Sequence, residues 1–380
     1  MWFSVDVTVG VGPDWSATES RERPTITETT VNDAHNLIMD STLYKTLQVT
    51  RGYKYHYYSS PPENAQSRTL LFLHGFPSAD TDWRHQVSFF KKLGYGIVVP
   101  QLLGYGDSSK PTDPAEYRQS LVSKDLVEIL DKEGVDQVVA IGHDWGAYIA
   151  ARFALFQPER TLAVAFITVG YFPPNPGPFD LEAVHKFTKE HFGYEVLGYW
   201  EFFSAEDAPK LSIQNVSAYH AQAQQFESFF NILWPDDPKL WASEFAPLGA
   251  LRRNLEANQI FPPPSWMSEE DKKLLSDPLL KNGLEAPMCY YRLQTSGMGC
   301  EDDKLLTGKA EIDQPVFFLD ALDDRIASEK GFMAAMGQSE SPTLKYCKNA
   351  TVKRVNVDHW VLLHIPNELN AALLEWLGGF

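Results

Sequence analysis

The sequence predicts an α/β fold, in which helices cover a mostly parallel central sheet and a further helical segment is inserted between two of its strands. Three observations predict it. Short, wholly apolar runs recur along the chain, segments of helical periodicity alternate with them, and this alternation stops after Phe172 and returns near Pro315. Strand-helix-strand alternation is typical of layered α/β proteins, and a chain of 380 residues is long enough for one large core that carries an insertion.

The amino-terminal half of the chain supplies the first strands. Residues 1–40 have no clear periodicity, so they are interpreted as an extension of the core, and no chemistry is assigned to them. Two β-rich runs within residues 45–58 flank Arg51-Gly52 and predict a strand, a tight turn and a second strand. Apolar runs that predict strands buried on both faces follow at residues 69–73, 96–100 and 137–141, and a helix is predicted over residues 120–132.

A proline-rich hinge marks the start of the predicted insertion. Prolines occupy positions 173, 174, 176 and 178, and the segment that follows shows amphipathic helical spacing instead of β runs. Strand patterns return at residues 315–319 and 351–357, and a helix over residues 367–377 closes the chain. The predicted domains are therefore a core formed by residues 1–172 and 309–380 and a helical cap, or lid, formed by residues 173–308.

Charge and composition argue against several classes of partner. Fifty acidic and 33 basic side chains give a formal net charge of −17, which repels nucleic-acid backbones and anionic lipid headgroups, so neither nucleic acid nor a membrane is expected as a partner. The amino terminus lacks the pattern of a secretory signal, and the longest apolar run, residues 162–169, is far shorter than the ~20 residues that span a bilayer. The expected location is therefore cytoplasmic.

Cofactors and metals are not expected either. Three scattered cysteines and the lack of C-x-x-C or H-E-x-x-H spacings predict neither a disulfide framework nor a metal site. Gly297-Met298-Gly299 has neither the strand context nor the third glycine of a dinucleotide fingerprint. The chemistry of the protein should therefore depend on its own side chains.

The strongest local signal for chemistry is the motif G-H-D-W-G at residues 142–146, between a predicted strand and a predicted helix. Its spacing is that of a nucleophile elbow, a sharp turn that presents one side chain at a helix N-terminus, with glycines two residues away on either side to give room. Asp144 occupies the presented position, where hydrolases with this turn usually have serine. An aspartate after a strand is also a common helix N-cap, so the interpretation depends on partners elsewhere in the chain.

Such partners should follow later strands, the acid first and the histidine last. Asp320, Asp323 and Asp324 follow the first of the two late strand patterns, and His359 follows the second. Carboxylates after a strand are also common turn formers, and a late histidine is often structural. All of these residues in this order nevertheless predict a catalytic triad of Asp144, one of the three acids and His359.

A loop after the predicted strand at residues 69–73 supports the same interpretation. His74-Gly75-Phe76-Pro77 follows that strand, which should lie beside the elbow strand. In a fold with this elbow, a backbone N–H of such a loop joins the N–H after the nucleophile to form an oxyanion hole. Phe76 and Trp145 are the residues predicted to supply these two groups.

With these motifs in place, the sequence resembles the epoxide hydrolases of the α/β-hydrolase superfamily, from about residue 45 to its C-terminus. The segments that carry the resemblance are His74-Gly75-Phe76-Pro77, Trp83-Arg84, Gly104-Tyr105-Gly106-Asp107-Ser108, Gly142-His143-Asp144-Trp145-Gly146, Pro158-Glu159-Arg160 and Asp358-His359-Trp360. The resemblance implies the α/β-hydrolase fold with an inserted helical cap.

The resemblance also implies which acid works with the histidine. It selects Asp324 as the carboxylate that orients His359, and it leaves Asp320 and Asp323 as structural neighbours. One position departs from the family pattern, because Gln101 stands where members commonly have aspartate. We expect that difference to alter a loop contact rather than catalysis.

Two tyrosines of the lid are implied as acids by the same resemblance. One is Tyr291, and the other is Tyr199, which matches the family motif better than Tyr194 does. Tyrosines in an aromatic helical segment are also common packing residues. His74, Pro77 and Tyr194 are interpreted as residues that contact the substrate.

The residue types suit the opening of an epoxide. A carboxylate with an ordinary pKa of ~3.9 is ionised at pH 7, so Asp144 can attack carbon without a base. A phenol with a pKa of ~10 can donate a proton to the departing ring oxygen, whose conjugate acid resembles water, at ~15. His359, oriented by Asp324, would then activate a water molecule against the ester formed on Asp144. The expected partners are thus a small apolar epoxide and water, and the expected product is a vicinal diol.

Three alternatives use the same core. A haloalkane or haloacid dehalogenase could share Asp144 and His359, but a halide needs N–H donors such as indoles, and Phe76 stands where many haloalkane dehalogenases have asparagine. A ligand receptor without catalysis could keep the scaffold, because fold does not determine function. A biosynthetic enzyme could open an epoxide intramolecularly and form a ring instead of a diol.

Overall fold

An eight-stranded, mostly parallel sheet organises the protein in the computed structural model, which describes residues 39–64, 66–213, 221–328 and 341–380. The order of the strands across the sheet is β1-β2-β4-β3-β5-β6-β7-β8; the first two neighbouring pairs are antiparallel and the others are parallel. The predicted extension at residues 1–40 lies outside the described residues, apart from Met39 and Asp40. The strands are β1 Tyr44–Gln48, β2 Lys54–Ser60, β3 Thr69–Leu73, β4 Gly96–Pro100, β5 Val138–His143, β6 Thr161–Ile167, β7 Val316–Ala321 and β8 Ala350–Val355.

Helices connect these strands, and most of those in the second half of the chain lie between β6 and β7. The helices are α1 Arg84–Lys92, α2 Gln119–Lys132, α3 Trp145–Phe156, α4 Leu181–Phe192, α5 Gly198–Ser204, α6 Ala208–Ser212, α7 Ala221–Leu233, α8 Ala250–Glu256, α9 Glu269–Asn282, α10 Cys289–Thr295, α11 Met298–Asp303, α12 Pro342–Tyr346, α13 Val361–His364 and α14 Pro366–Leu377, with a π-helical turn at Trp241–Phe245. None of the helices in the described ranges has both the length and the apolar character needed to cross a membrane.

The wholly apolar strands follow from burial of both faces of the sheet. Successive side chains of a strand point to opposite faces. In β3, Leu70 and Phe72 belong to the apolar cluster that contains residues of α1 and α14, whereas Leu71 and Leu73 belong to the cluster that contains residues of α2 and α3. Because every position of this strand is buried, the sequence shows a continuous apolar run rather than alternation.

The predicted α/β class is confirmed, and the differences are confined to the ends of elements. Asp320, predicted to follow a strand, lies within β7. Its position is opposite Arg354 in the β7 and β8 register, and its carboxylate lies 3.4 Å from that guanidinium. The ion pair across the two strands accounts for the extension of β7 by two residues beyond the apolar run.

The parallel strands bring the predicted chemistry to one edge of the sheet. The pairing of β3 with β5 ends at Leu73 and Gly142, and the pairing of β7 with β8 ends at Ala321 and Val355. The loops that carry Phe76, Asp144, Asp324 and His359 all follow these carboxyl ends. In open parallel sheets this is the edge at which ligands bind.

The helical segment between β6 and β7 is joined to the core by buried polar contacts. Arg152 of α3 forms two hydrogen bonds with Asp303 of α11, at 2.8 and 2.9 Å. The indole N–H of Trp360 donates to the carbonyl of Leu233, at the end of α7, at 2.8 Å. These contacts connect the middle and the end of the segment to the core.

The turn between β5 and α3 is tightly constrained. Asp144 has a positive φ of 55°, which is uncommon for a residue other than glycine. A Cβ atom added to Gly142 would collide with the backbone carbonyl of Gly146, and one added to Gly146 would collide with the carbonyl of Leu73 in β3. The glycine spacing of the motif is therefore a steric requirement of the turn.

We predict that Gly146→Ala lowers the free energy of unfolding by roughly 2–3 kcal/mol, because the added methyl group must displace backbone and not a flexible side chain. Urea denaturation monitored by tryptophan fluorescence measures this change. Gly378→Ala is the matched control, because Gly378 has a φ of −72° and its nearest neighbour lies at 3.4 Å. Equal effects of the two substitutions would contradict the steric argument.

Candidate active site

Asp144 presents its carboxylate to a cavity at the carboxyl edge of the sheet. Its Oδ1 accepts the backbone N–H of Phe76 at 2.8 Å, and the backbone N–H of Trp145 also hydrogen bonds to the carboxylate. The Oδ2 atom faces the ring of His359, with 3.7 Å between Oδ2 and Nε2. The amide of Phe76 thus holds Oδ1, the amide of Trp145 contacts the same carboxylate, and Oδ2 faces the histidine.

The surroundings of Asp144 act on its charge in opposite directions. Burial is the largest influence and raises the pKa of Asp144 above its ordinary value. The positive charge on His359, when protonated, and the amides of Phe76 and Trp145 oppose that rise, while the negative charge of Asp324 adds to it. The amides and the histidine therefore help to keep the buried carboxylate ionised.

His359 lies between two carboxylates. Its Nδ1 donates to Oδ2 of Asp324 at 2.6 Å, and its Nε2 points toward Asp144. The other oxygen of Asp324 accepts the backbone N–H groups of Ile326 and Ala327, each at 2.8 Å. Asp324 is thereby held in place, and it sets both the orientation and the tautomer of the histidine.

The protonated form of His359 is favoured. Burial is the largest influence and lowers the pKa of His359, but the attraction of Asp324, Asp144 and Asp358 outweighs it, so the net shift is upward. His359 therefore acts as a base only at pH values above this raised pKa. Any reaction that removes the charge of Asp144 would also lower the pKa of His359.

His143 contacts both the backbone and the ring of His359. Its Nε2 lies 2.9 Å from the backbone carbonyl of His359 and donates to it, and the two rings are 4.7 Å apart. Burial lowers the pKa of His143 well below its ordinary value, so this ring stays neutral. In the sequence His143 is only the neighbour of Asp144. Because His143 and His359 are 216 residues apart in the chain, no local sequence pattern predicts their contact.

The cavity in front of Asp144 is lined mainly by aromatic side chains and encloses about 1140 Å³ of empty space, its open mouth included. Tyr199 and Tyr291 are both in its wall, with 6.0 Å between their ring centroids. Burial raises the pKa of both phenols far above the ordinary range, and the charge of Asp144 raises both further. Both tyrosines are thus kept protonated next to the carboxylate.

The structure does not place His74, Pro77 or Tyr194 in the wall of this cavity, in contrast to their predicted contact with substrate. The ring of His74 accepts the N–H of Leu102 at Nε2 and hydrogen bonds to the carbonyl of Gly75 at Nδ1, and burial lowers its pKa to about 4. Pro77 is buried within the same loop.

Tyr194 lies outside the cavity wall because its hydroxyl has another partner. It donates to the carbonyl of Arg325 at 2.9 Å, in the loop that carries Asp324. Tyr194, like His74, therefore supports a loop of the site rather than forming the surface that a ligand would touch. Of the two candidate tyrosines between α4 and the end of α5, only Tyr199 faces the ligand space.

Gln101 makes the loop contacts that its position implied. Its side-chain amide donates to Asp80 at 3.0 Å and its side-chain carbonyl accepts the N–H of Asp107 at 2.7 Å. Because the amide carries no charge, Gln101 can bond to the buried carboxylate of Asp80, which another carboxylate at position 101 would repel.

The polar part of the cavity wall, formed by Tyr148, Arg152 and Asp303, was missed by sequence reasoning. Trp241, one of the aromatic residues of the predicted lid, lies in the wall with its ring 5.2 Å from His359. Tyr148 and Arg152 follow Asp144 by four and eight residues, a spacing that places side chains on one face of a helix. That spacing was a usable signal. Among the residues that the structure describes, no His, Cys, Asp or Glu side chains are grouped so as to hold a metal ion.

Comparison with known families identifies the fold. A profile described as alpha/beta hydrolase fold matches residues 68–364. The chain belongs to this family. The elbow at Asp144, the acid after β7 and the histidine after β8 accordingly occupy the places in this α/β-hydrolase at which the fold carries its reactive groups, and the resemblance to this superfamily is confirmed.

Similar proteins are named for one activity. The chain is 29% identical over 321 residues to "Epoxide hydrolase 3" of Siraitia grosvenorii, covering 82% of this chain and 92% of that protein. It is 27% identical over 320 residues to "Bifunctional epoxide hydrolase 2" of Sus scrofa, covering 83% of this chain. The chain spans about half, 52%, of the length of that pig protein.

Solved structures show the same fold. The crystal structure of an epoxide hydrolase from Vigna radiata matches with a TM-score of 0.69 and 26% identity, over 89% of this chain and 98% of that one. The similarity thus extends over nearly all of that structure.

We predict that Asp324→Asn lowers the pKa of His359 below its ordinary value, because burial then acts on the ring with its main opposing charge removed. NMR titration of labelled histidine, with His359→Gln to assign the signal, measures this pKa. Asp323→Asn is the matched control, because Asp323 is adjacent in sequence but half-exposed and paired with Arg325. A similar fall in both variants would show that Asp324 has no special coupling to the ring.

Proposed function

We propose that this α/β-hydrolase is an epoxide hydrolase, which converts an apolar epoxide and water to a vicinal diol. The observation that carries the proposal is the meeting of an amide-held carboxylate, Asp144, with two buried phenols, Tyr199 and Tyr291, in one aromatic cavity. The names of the similar proteins support it. The proposal assigns each of these groups to one of two chemical steps.

In the first step, Oδ2 of Asp144 attacks a ring carbon and the bond from that carbon to the ring oxygen breaks. Oδ1 is occupied by the amide of Phe76, so Oδ2, which faces His359, is the oxygen left to bond to carbon. Tyr199 or Tyr291 gives its proton to the departing oxygen, which would otherwise leave as a strongly basic alkoxide. The product is a hydroxyalkyl ester of Asp144 and a phenolate.

In the second step, a water molecule attacks the ester carbon of Asp144 and loses a proton to Nε2 of His359. The negative charge develops on Oδ1, which already accepts the amide of Phe76, and the amide of Trp145 contacts the same carboxylate. Collapse of this intermediate breaks the ester bond, and the leaving alkoxide takes the proton from His359. Asp144 returns to the carboxylate, and the proton released with it restores the phenol by way of water.

We further propose that residues 173–308 act as a cap over this site. This segment supplies Tyr199, Tyr291 and half of the other Phe, Tyr and Trp side chains of the wall, whereas the turns that follow the strands supply Asp144, Asp324 and His359. An aromatic lining limits the number of water molecules that reach the carboxylate, and low polarity strengthens the interactions between charges inside the cavity. The cap thus completes the set of acids and shapes the apolar binding space.

The leaving-group side of the cavity supports an epoxide over a halide. A departing halide needs hydrogen-bond donors but no proton, whereas a departing ring oxygen needs an acid, which two protonated phenols supply. At position 76 the chain contributes a backbone N–H and an apolar ring, which packs 5.0 Å from Tyr291. The reaction with a halide would leave the two tyrosines without a chemical role.

We predict that His359→Ala forms the ester but does not hydrolyse it, because only the second step needs the base. Intact-mass spectrometry of the variant after exposure to a reactive epoxide should show an added mass of one substrate molecule per chain. The wild-type protein should show diol formation and no lasting adduct.

The control for this experiment is Asp144→Ala, which has no nucleophile and should remain unlabelled. Peptide mapping should place the adduct on the peptide that contains Asp144. An unlabelled His359→Ala variant, or the same adduct on Asp144→Ala, would rule out the proposed intermediate.

We predict that Tyr291→Phe and Tyr199→Phe each slow ester formation by roughly 10²-fold, the usual size of a general-acid contribution, and leave the rate of ester hydrolysis unchanged. Single-turnover stopped-flow fluorescence separates the two rates, with Trp145 beside the carboxylate as a reporter. Tyr194→Phe is the matched control, because its hydroxyl bonds to Arg325 outside the cavity wall. Equal slowing of both steps by the cavity tyrosine variants would argue for a packing role.

A further inference from the structure

The cavity has a polar region at a distance from the reactive carboxylate, and the steps proposed above make no use of it. The polar side chains of this region belong to α3, α10 and α11: Tyr148, Arg152, Gln294 and Asp303. Tyr148 and Arg152 follow Asp144 by four and eight residues, so at 1.5 Å per residue they lie about 6 and 12 Å farther along α3. The polar region is therefore separated from the nucleophile by one to two helical turns.

The charges of this region are already balanced. The guanidinium of Arg152 forms two hydrogen bonds with the carboxylate of Asp303, at 2.8 and 2.9 Å, and donates a third to the carbonyl of Phe172 at 2.7 Å. It also stacks over the ring of Tyr148, with 4.4 Å from its central carbon to the ring centroid. An anionic group placed here would meet Asp303 as well as Arg152, so the region suits a neutral group.

Tyr148 has a hydrogen left to donate. Its hydroxyl oxygen accepts the side-chain N–H of Gln294 at 3.2 Å. Burial raises the pKa of Tyr148, so the phenol stays protonated. Within the described contacts its own O–H donates to no protein acceptor, and the ring lines the cavity. A substrate oxygen in front of Tyr148 would complete its hydrogen bonding.

We propose that Tyr148 is a specificity-determining residue, which donates a hydrogen bond to a neutral oxygen, such as a carbonyl or hydroxyl, on an arm of the epoxide substrate. This inference rests on the proposed epoxide hydrolysis. The substrate class is then an apolar epoxide with an oxygen function several bonds from the ring, held across one helical turn between Asp144 and Tyr148. The aromatic wall between them packs against the apolar part of that arm.

The test uses positional isomers of an epoxy ketone, because the cost of removing water from the carbonyl on binding is the same for all of them. A series of 1,2-epoxyalkanones of one chain length, in which the carbonyl is moved along the chain one carbon at a time, is compared with the 1,2-epoxyalkane that lacks the carbonyl. For the wild-type protein, kcat/KM should peak at one intermediate position, with an advantage of roughly five- to tenfold over the other isomers. Tyr148→Phe should flatten this profile, so that the ratio of kcat/KM for the best ketone to kcat/KM for the plain epoxyalkane falls by the same factor.

The controls separate this inference from the function on which it rests. Tyr95→Phe removes a hydroxyl from a tyrosine that packs in the apolar cluster of α1, away from the cavity, and should keep the peak. A flat wild-type profile, or a peak that persists in Tyr148→Phe, would overturn the role of Tyr148 even if every epoxide is hydrolysed. Failure to hydrolyse any member of the series would overturn the proposed function itself.

The neutral character of the group is tested with a carboxylate on the arm at the optimal carbon. This epoxy acid should be processed more slowly than the ketone, because its charge meets Asp303. Faster turnover of the acid would overturn the assignment to a neutral oxygen and would indicate that Arg152 recognises an anion. Thermal unfolding of Tyr148→Phe checks that the variant is folded, and the ring that supports Arg152 is retained in it.

Discussion

The site depends on keeping one carboxylate charged inside an apolar cavity. Removal of Asp144 from water raises its pKa and favours the protonated form, which is a poor nucleophile. Two backbone N–H groups and the ring of His359 oppose that effect. They can do so only because the positive φ of the elbow turns the side chain toward the loop after β3. The strained backbone and the glycines around it thus help to keep the carboxylate of Asp144 ionised.

That charge also controls the groups around it. The negative charge of Asp144 raises the pKa of His359 and helps to keep Tyr199 and Tyr291 protonated. On the proposed mechanism, ester formation neutralises Asp144, so the pKa of each of these groups falls: the phenols become stronger acids and His359 becomes a weaker base. The phenols therefore release a proton most readily as the ester forms, and the histidine becomes neutral at lower pH once it has a water molecule to activate. One bond-forming event changes the roles of three side chains.

Sequence reasoning succeeded where geometry is local or follows from sheet topology. The elbow could be predicted because its glycines are required within five residues, and His359 and a group of three acids followed from the meeting of parallel strand ends. The resemblance to epoxide hydrolases then selected Asp324 among those acids. His74 and Tyr194 could not be assigned correctly, because a ring in a loop can face either a ligand or a neighbouring backbone group, and distant contacts decide which. Tyr148 could have been found as a helical neighbour of Asp144, but a tyrosine on a largely apolar helix is also a common packing residue.

The ion pair of Arg152 and Asp303 connects α3 to α11, near the end of the segment that we propose as a cap. Arg152 binds the carbonyl of Phe172, where the chain leaves the core, and Asp303 accepts the N–H of Asn175 at 2.9 Å while lying near the point at which the chain returns. A buried ion pair adds little net stability, because desolvation offsets its attraction, but it does specify geometry. Since α10, with Tyr291, directly precedes α11, with Asp303, we infer that this pair sets the register in which that phenol lies over Asp144. On this inference, contacts near the proline-rich hinge fix the position of Tyr291 relative to Asp144.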